Sequence, residues 1–244
     1  MKINIKETLK FFDQRQNSRG HASAIAGVVG EDLNAFVFKH YMEFELKAKT
    51  VKIFAGPVKQ GTKKGKWLDR WIYVEERDGT KILYQCEIKS WSAAAFGGQD
   101  LLEKEGLESD DTKKVALNHW EKQKKLFSKD KEPNLVTKTL VRMDPNRNKE
   151  VKEFLKERRI NKKDYKQKPL LLYWMPISNE EDRTPFFSEK VLKLKINFKS
   201  NFKEKLYIFS VSLYLRKLGK KKFLPLNMPN VKKRIDILNK IVVS

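Results

Sequence analysis

Two carboxylates and an ammonium group stand close together in the first half of this chain. Asp69 lies in Trp67-Leu68-Asp69-Arg70-Trp71-Ile72-Tyr73-Val74, and Glu87 and Lys89 close Lys81-Ile82-Leu83-Tyr84-Gln85-Cys86-Glu87-Ile88-Lys89. Arg77-Asp78-Gly79 separates the two stretches. Such a set on adjacent strands can hold a divalent cation and make a water nucleophilic. The chain has 53 Lys and Arg against 31 Asp and Glu, a formal net charge of +22. The polyanion that such a site would meet is nucleic acid.

The elements that must position these groups follow from pattern. Both stretches are rich in aromatic and β-branched residues and alternate with a period of two, as strands do. Asp78-Gly79 marks the turn. A three-residue loop with Gly79 in the left-handed position pairs residues whose numbers sum to 156, which sets Asp69 opposite Glu87. Their Cβ atoms then lie about 4.5–5.5 Å apart, where like charges are destabilising unless something offsets them. A cation such as Mg²⁺, which prefers carboxylate oxygens, does so. Lys89 falls on the face of Glu87, two residues along. A two-residue loop at Asp78-Gly79 would shift the pairing by one and separate the acids. An ordinary surface hairpin also carries Asp, Glu and Lys. Against that reading, Ile82 to Cys86 is too apolar for an exposed edge, and the small residues Ala93-Ala94-Ala95-Phe96-Gly97-Gly98 that follow suit close approach of a ligand backbone.

This segment resembles the PD-(D/E)xK, or restriction-endonuclease-like, nuclease superfamily over roughly residues 20–130. The resemblance implies that Asp69 and Glu87 are metal ligands and that Lys89 orients or deprotonates the attacking water. It implies the Ile88 carbonyl as a further ligand and Glu31, on the preceding helix, as an added acid. Glu31 reads equally as a surface acid beside Asp32. Leu68 stands where the name-giving proline would be. The implied cofactor is Mg²⁺, with Mn²⁺ able to substitute. Gln123 corresponds to a glutamine that some members carry on a later helix.

At 244 residues the chain can bury a sizeable core, and 40% hydrophobic residues with five Trp exclude a disordered polycation. Cys86 is the single cysteine, so no internal disulfide forms and a cytoplasmic location is expected. Cys86 faces away from Glu87 and reads as core. His21, His40 and His119 are scattered, which disfavours zinc. No signal peptide is visible, and the longest apolar run, Leu170 to Ile177, is too short to span a bilayer.

The expected order begins with a short helix over 6–15, a long helix over 22–44 and a strand over 51–57. A basic loop over 60–66 follows, whose Lys63, Lys64 and Lys66 can touch a phosphate backbone. After the hairpin come a helix over 110–128 and a strand over 135–143. A helix over 148–159 and a buried strand over 170–177 precede strands over 191–198 and 206–215 and a final helix over 230–243. The fold class is α/β, a mixed central sheet flanked by helices with a strand-rich C-terminal extension. Residues 1–180 are expected to form the nuclease-like core, with 181–244 packed on it.

These readings converge on a Mg²⁺-dependent deoxyribonuclease, an endonuclease of restriction or anti-phage defence, with DNA favoured as partner. A homodimer or an accessory protein subunit stays open, and membrane is not expected as a partner. The same chemistry would serve a recombination, repair or transposition nuclease. A non-catalytic nucleic-acid-binding protein, or a basic protein docking an acidic one, are the competing classes.

Overall fold

A computed structural model describes residues 1–13, 29–54, 69–89, 144–174, 187–196, 200–219 and 221–241, and of 89, 187–206 and 238–241 the backbone alone. The candidates Lys63, Lys64, Lys66 and Gln123, the helix over 110–128 and the strand over 135–143 lie outside the described residues.

The chain opens with β1 (Lys2–Asn4) and α1 (Ile5–Asp13). α2 (Glu31–His40) runs into a π-helical turn, Tyr41–Glu45, in which the Leu46 N–H donates to the Tyr41 carbonyl at 3.3 Å. Three antiparallel strands follow, β2 (Thr50–Phe54), β3 (Arg70–Glu75) and β4 (Lys81–Lys89). α3 (Lys149–Glu157) crosses to β5 (Lys166–Tyr173), which lies parallel to β4. β6 (Phe187–Ile196) and β7 (Ser200–Ser210) form a hairpin, and β7 runs parallel to β5. α4 (Val211–Lys217), β8 (Phe223–Pro225) and α5 (Pro229–Ile241) complete the order. The sheet is mixed and six-stranded, in the order β2-β3-β4-β5-β7-β6, and β1 pairs with β8 in a separate ribbon. β6 and β7 thus extend the central sheet directly.

Strand alternation builds the two faces. Ile72 and Val74 of β3, Tyr84, Cys86 and Ile88 of β4, Leu170 and Leu172 of β5 and Phe209 of β7 pack with Leu33, Val37 and Phe38 of α2 and with α1 and α4. On the other face Trp71, Tyr73 and Leu83 pack against Val151 and Leu155 of α3. Asn148 caps α3, its side chain accepting from the Val151 N–H at 3.1 Å. Acids and lysines divide the exposed side of this helix between them, and Lys149 approaches Glu153 at 3.9 Å.

Several expected bounds need correction, among them the starts of β6 at Phe187 and β7 at Ser200, ahead of the expected 191 and 206. Val211 to Leu215 is helical and not the end of a strand. Continuous apolar runs read alike as buried strand or buried helix, and here Val211, Leu213, Tyr214 and Leu215 are all buried in either form. β5 begins at Lys166, four residues before the expected apolar start, because its pairing to β4 starts at Ile82–Lys166.

Candidate functional site

The hairpin fixes the site. The Glu76 N–H donates to the Thr80 carbonyl at 2.8 Å, and the Gly79 N–H donates to the Glu76 carbonyl at 3.0 Å. Gly79 takes a φ of +89°, left-handed backbone that an L side chain rarely adopts. The loop is therefore Arg77-Asp78-Gly79, three residues long, and the strands pair from Glu75–Lys81 to Arg70–Cys86. Each pair sums to 156, and the next position sets Asp69 opposite Glu87.

The hydrogen-bonding phase sharpens this placement. Glu76–Thr80 is a hydrogen-bonded pair, so even-numbered pairs along the ladder bond and odd-numbered ones do not. Continued one step past the last pair, Arg70–Cys86, this phase gives Asp69 and Glu87 a non-bonded position, where opposed Cα atoms of a regular ladder are about 4.5 Å apart. Glu87 is only 4% exposed. Its position on the strand gives it the α3 face, with Leu83 and Gln85. Gln85 is buried too and accepts from the Gln167 Nε2 of β5 at 2.6 Å. Lys89 ends β4, paired with Tyr173, at a position that alternation assigns to the Glu87 face. Asp69 turns one carboxylate oxygen onto the backbone: Oδ2 accepts from the Ile88 N–H at 2.6 Å. The aspartate thereby ends the ladder and is held against the Glu87-Ile88-Lys89 backbone.

Glu31 meets Asp69 through Arg70. Its carboxylate pairs with Arg70 at 3.2 Å, and Arg70 belongs to the α2 face of the sheet. Neighbouring Asp32, 2% exposed, is the helix acid that is drawn in. Its Oδ1 accepts from Arg70 Nη2 at 3.0 Å, and its Oδ2 lies 3.3 Å from Arg234 Nη1 of α5. Arg70 Nη1 also donates to the Asp69 carbonyl at 2.6 Å. One buried guanidinium thus ties the start of α2 to the backbone of the candidate aspartate. Sequence reasoning missed Arg70, Asp32 and Arg234. The signal was an arginine at an inward position of an apolar strand, which requires a carboxylate partner.

Oxygen donors suit a hard divalent cation, and Asp69 with Glu87 supplies two opposed carboxylates. Among the described residues no three Asp, Glu, His or Cys side chains group as a metal site. The two acids and the backbone they share thus form the described part of any such site. Cys86 lies on the opposite face, and burial pushes its thiol pKa well up, so it is an inert core residue. No helix among the described residues is long and apolar enough to cross a membrane.

Comparison with protein-family models, with curated proteins and with solved structures finds no match for this chain.

Proposed function

We propose that this chain is a metal-dependent phosphodiesterase that cuts DNA, built on a restriction-endonuclease-like core. The observation that carries the reading is the Asp69 carboxylate held on the Ile88 N–H, beside a buried Glu87, just past the last pair of a hairpin whose loop fixes the register. Two neighbouring carboxylates offer the oxygen ligands that a hard divalent cation prefers. Asp69, Glu87 and the Ile88 carbonyl would hold Mg²⁺. The ion would supply charge stabilisation on the scissile phosphate and a lowered pKa for the attacking water. Lys89 holds the water and phosphate side of the site. Glu31, which shares Arg70 Nη1 with the Asp69 carbonyl, would be the added acid of the site. The endonuclease assignment, restriction or phage defence as its setting, and a cytoplasmic location belong to the same proposal.

Calorimetric titration with Mg²⁺ and Mn²⁺ tests it. Binding that Glu87→Gln weakens at least tenfold, with folding intact, is the expected result. Titration heats that are the same in wild type and variant would remove the metal from this pair of acids.

One observation favours a second reading. The Asp69 bond to the Ile88 N–H gives that carboxylate a structural task of its own. A nucleic-acid-binding protein without catalysis would keep Asp69 for that bond alone, and Glu87→Ala would then leave every nucleic-acid property unchanged.

A further inference from the structure

The outer part of the β6–β7 hairpin is a basic ribbon. β7 pairs with β5 only from Tyr207 to Ser210, whereas its pairing with β6 continues to Ile196–Ser200. Among the described residues, 200–206 of β7 therefore pair with β6 alone, a two-stranded length of about 20 Å. Pro169 of β5 has no N–H to give, and the ladder to β7 begins at the next residue, Leu170.

The register sorts this ribbon into two unlike faces. Directly opposed residues share a face, and faces alternate along each strand. One face takes Leu192, Leu194, Ile196, Phe202 and Leu206, with Lys190 and Glu204 among them. The other takes, from the sheet outwards, Glu189 opposite Tyr207, Val191 opposite Lys205, Lys193 opposite Lys203, and Lys195 opposite Asn201. Four lysines thus share one face of the outer ribbon, with one like-charged pair directly opposed, and the sole acid stands at its base. Directly opposed like charges destabilise a strand pair. The exposed side of α3 shows how this chain makes an ordinary solvated surface, since Lys149, Lys152 and Lys156 alternate there with Glu150, Glu153 and Glu157. The ribbon face has no such interspersed acid.

We infer that the lysine face of the β6–β7 ribbon, Lys193, Lys195, Lys203 and Lys205, docks the phosphate backbone of a nucleic acid. Phosphates in series supply counter-charge that the ribbon's own residues do not place between these lysines, and a two-stranded ribbon fits the major groove of a duplex. The surface lies away from the acids. Tyr207 continues the α2 face, where it meets Tyr84, while Glu87 occupies the α3 face. Glu87 is level with Leu171 and Ile208, five residues along β7 from Lys203, about 17 Å. The ribbon would bind and orient the nucleic acid without touching the reacting bond. The inference rests on nucleic acid as the partner and does not need the Asp69–Glu87 chemistry.

The test is the binding of a fluorescent duplex DNA, without added metal, across a series of salt concentrations. Wild type, Lys193→Gln/Lys203→Gln and a control of equal charge change, Lys149→Gln/Lys152→Gln, are compared. The ribbon variant should bind at least about tenfold more weakly near 0.15 M salt, with the slope of log K against log salt shallower by about 2. The control should lose much less. Lys193→Arg/Lys203→Arg should bind as wild type, which separates lost charge from lost folding. Equal slopes for wild type and ribbon variant, an equal loss in the control, or wild-type binding to anionic phospholipid vesicles but not to DNA would each overturn the assignment. Should no version cut DNA while the ribbon variant alone loses binding, the docking surface stands and the nuclease reading falls.

Discussion

Arg70 carries a charge into the interior, 6% exposed, and three oxygen acceptors answer it: Asp32, Glu31 and the Asp69 carbonyl. Breaking a buried pair by removing one partner leaves the other charge uncompensated and costs about 3–5 kcal/mol. Asp32→Ala should therefore lower the denaturant midpoint by an amount of that order. Glu31→Ala, at the more exposed end of the cluster, should change stability by less than about 1 kcal/mol. A large loss for Glu31→Ala and a small one for Asp32→Ala would reverse these two roles. Family resemblance alone favours Glu31 over its neighbour, because both acids sit in the first helical turn and only the tertiary contact with Arg70 tells them apart. Asp69 and Glu87 are legible in the sequence, since their spacing and the loop type determine the register together. At His40, burial lowers the imidazole pKa first, Lys221 lowers it further and Glu45 partly opposes them. The ring bonds the Tyr214 hydroxyl at 2.8 Å and stacks on Phe44. A depressed folded-state pKa means that the unfolded chain takes up the proton first as pH falls. This contribution is complete above about pH 6.5 and fades as pH drops through the folded value. Denaturation at pH 7.5 and 5.5 should show a smaller acid-side loss for His40→Gln than for wild type, whereas identical losses would place the titration elsewhere.

The hairpin of β3 and β4 is the element on which the site depends. Its three-residue loop keeps Asp69 and Glu87 opposed, and a one-residue slip would send the side chains of one strand to the other face. Gly79→Ala forces an L side chain into left-handed backbone and should cost about 1–2 kcal/mol. No atom lies within 4 Å of the added Cβ, so this is a cost of conformation and not of crowding. An unchanged melting temperature would show that the loop had relaxed to another turn. Asn148→Ala removes the cap of α3 and should cost about 1 kcal/mol by the same measurement. The hairpin, α1 and α3 are readable because caps or turn residues agree with periodicity there, and α2 and α5 are readable from apolar periodicity. The passage from β7 to α4 is not. From Leu206 to Leu215 the residues are so largely apolar that neither period stands out, and burial on both sides of the chain hides the change of state. The π-helical turn Tyr41–Glu45 has no sequence signal, since its longer hydrogen bond depends on how Tyr41 and Met42 pack.

At the scale of the molecule, charge and architecture divide the work. Helices pack on both faces of the inner strands of a six-stranded sheet, and the candidate acids stand towards the C-terminal ends of β4 and β5. The lysine ribbon leaves the sheet at the opposite end of β5, past the N-terminal side of its pairing with β7. The pattern of alternate lysines in β6 and β7 is present in the sequence, yet only the register shows that Lys193, Lys195, Lys203 and Lys205 share a face. The central claim is that Asp69, Glu87 and Lys89 form a metal-dependent nuclease site. Cleavage of supercoiled plasmid with Mg²⁺ or Mn²⁺, comparing wild type with Glu87→Ala and Lys89→Ala, tests it most directly. Nicking or linearisation that requires the metal and disappears in both variants is the predicted result. Cutting that survives in the variants, or is absent from wild type under every metal condition, would contradict it.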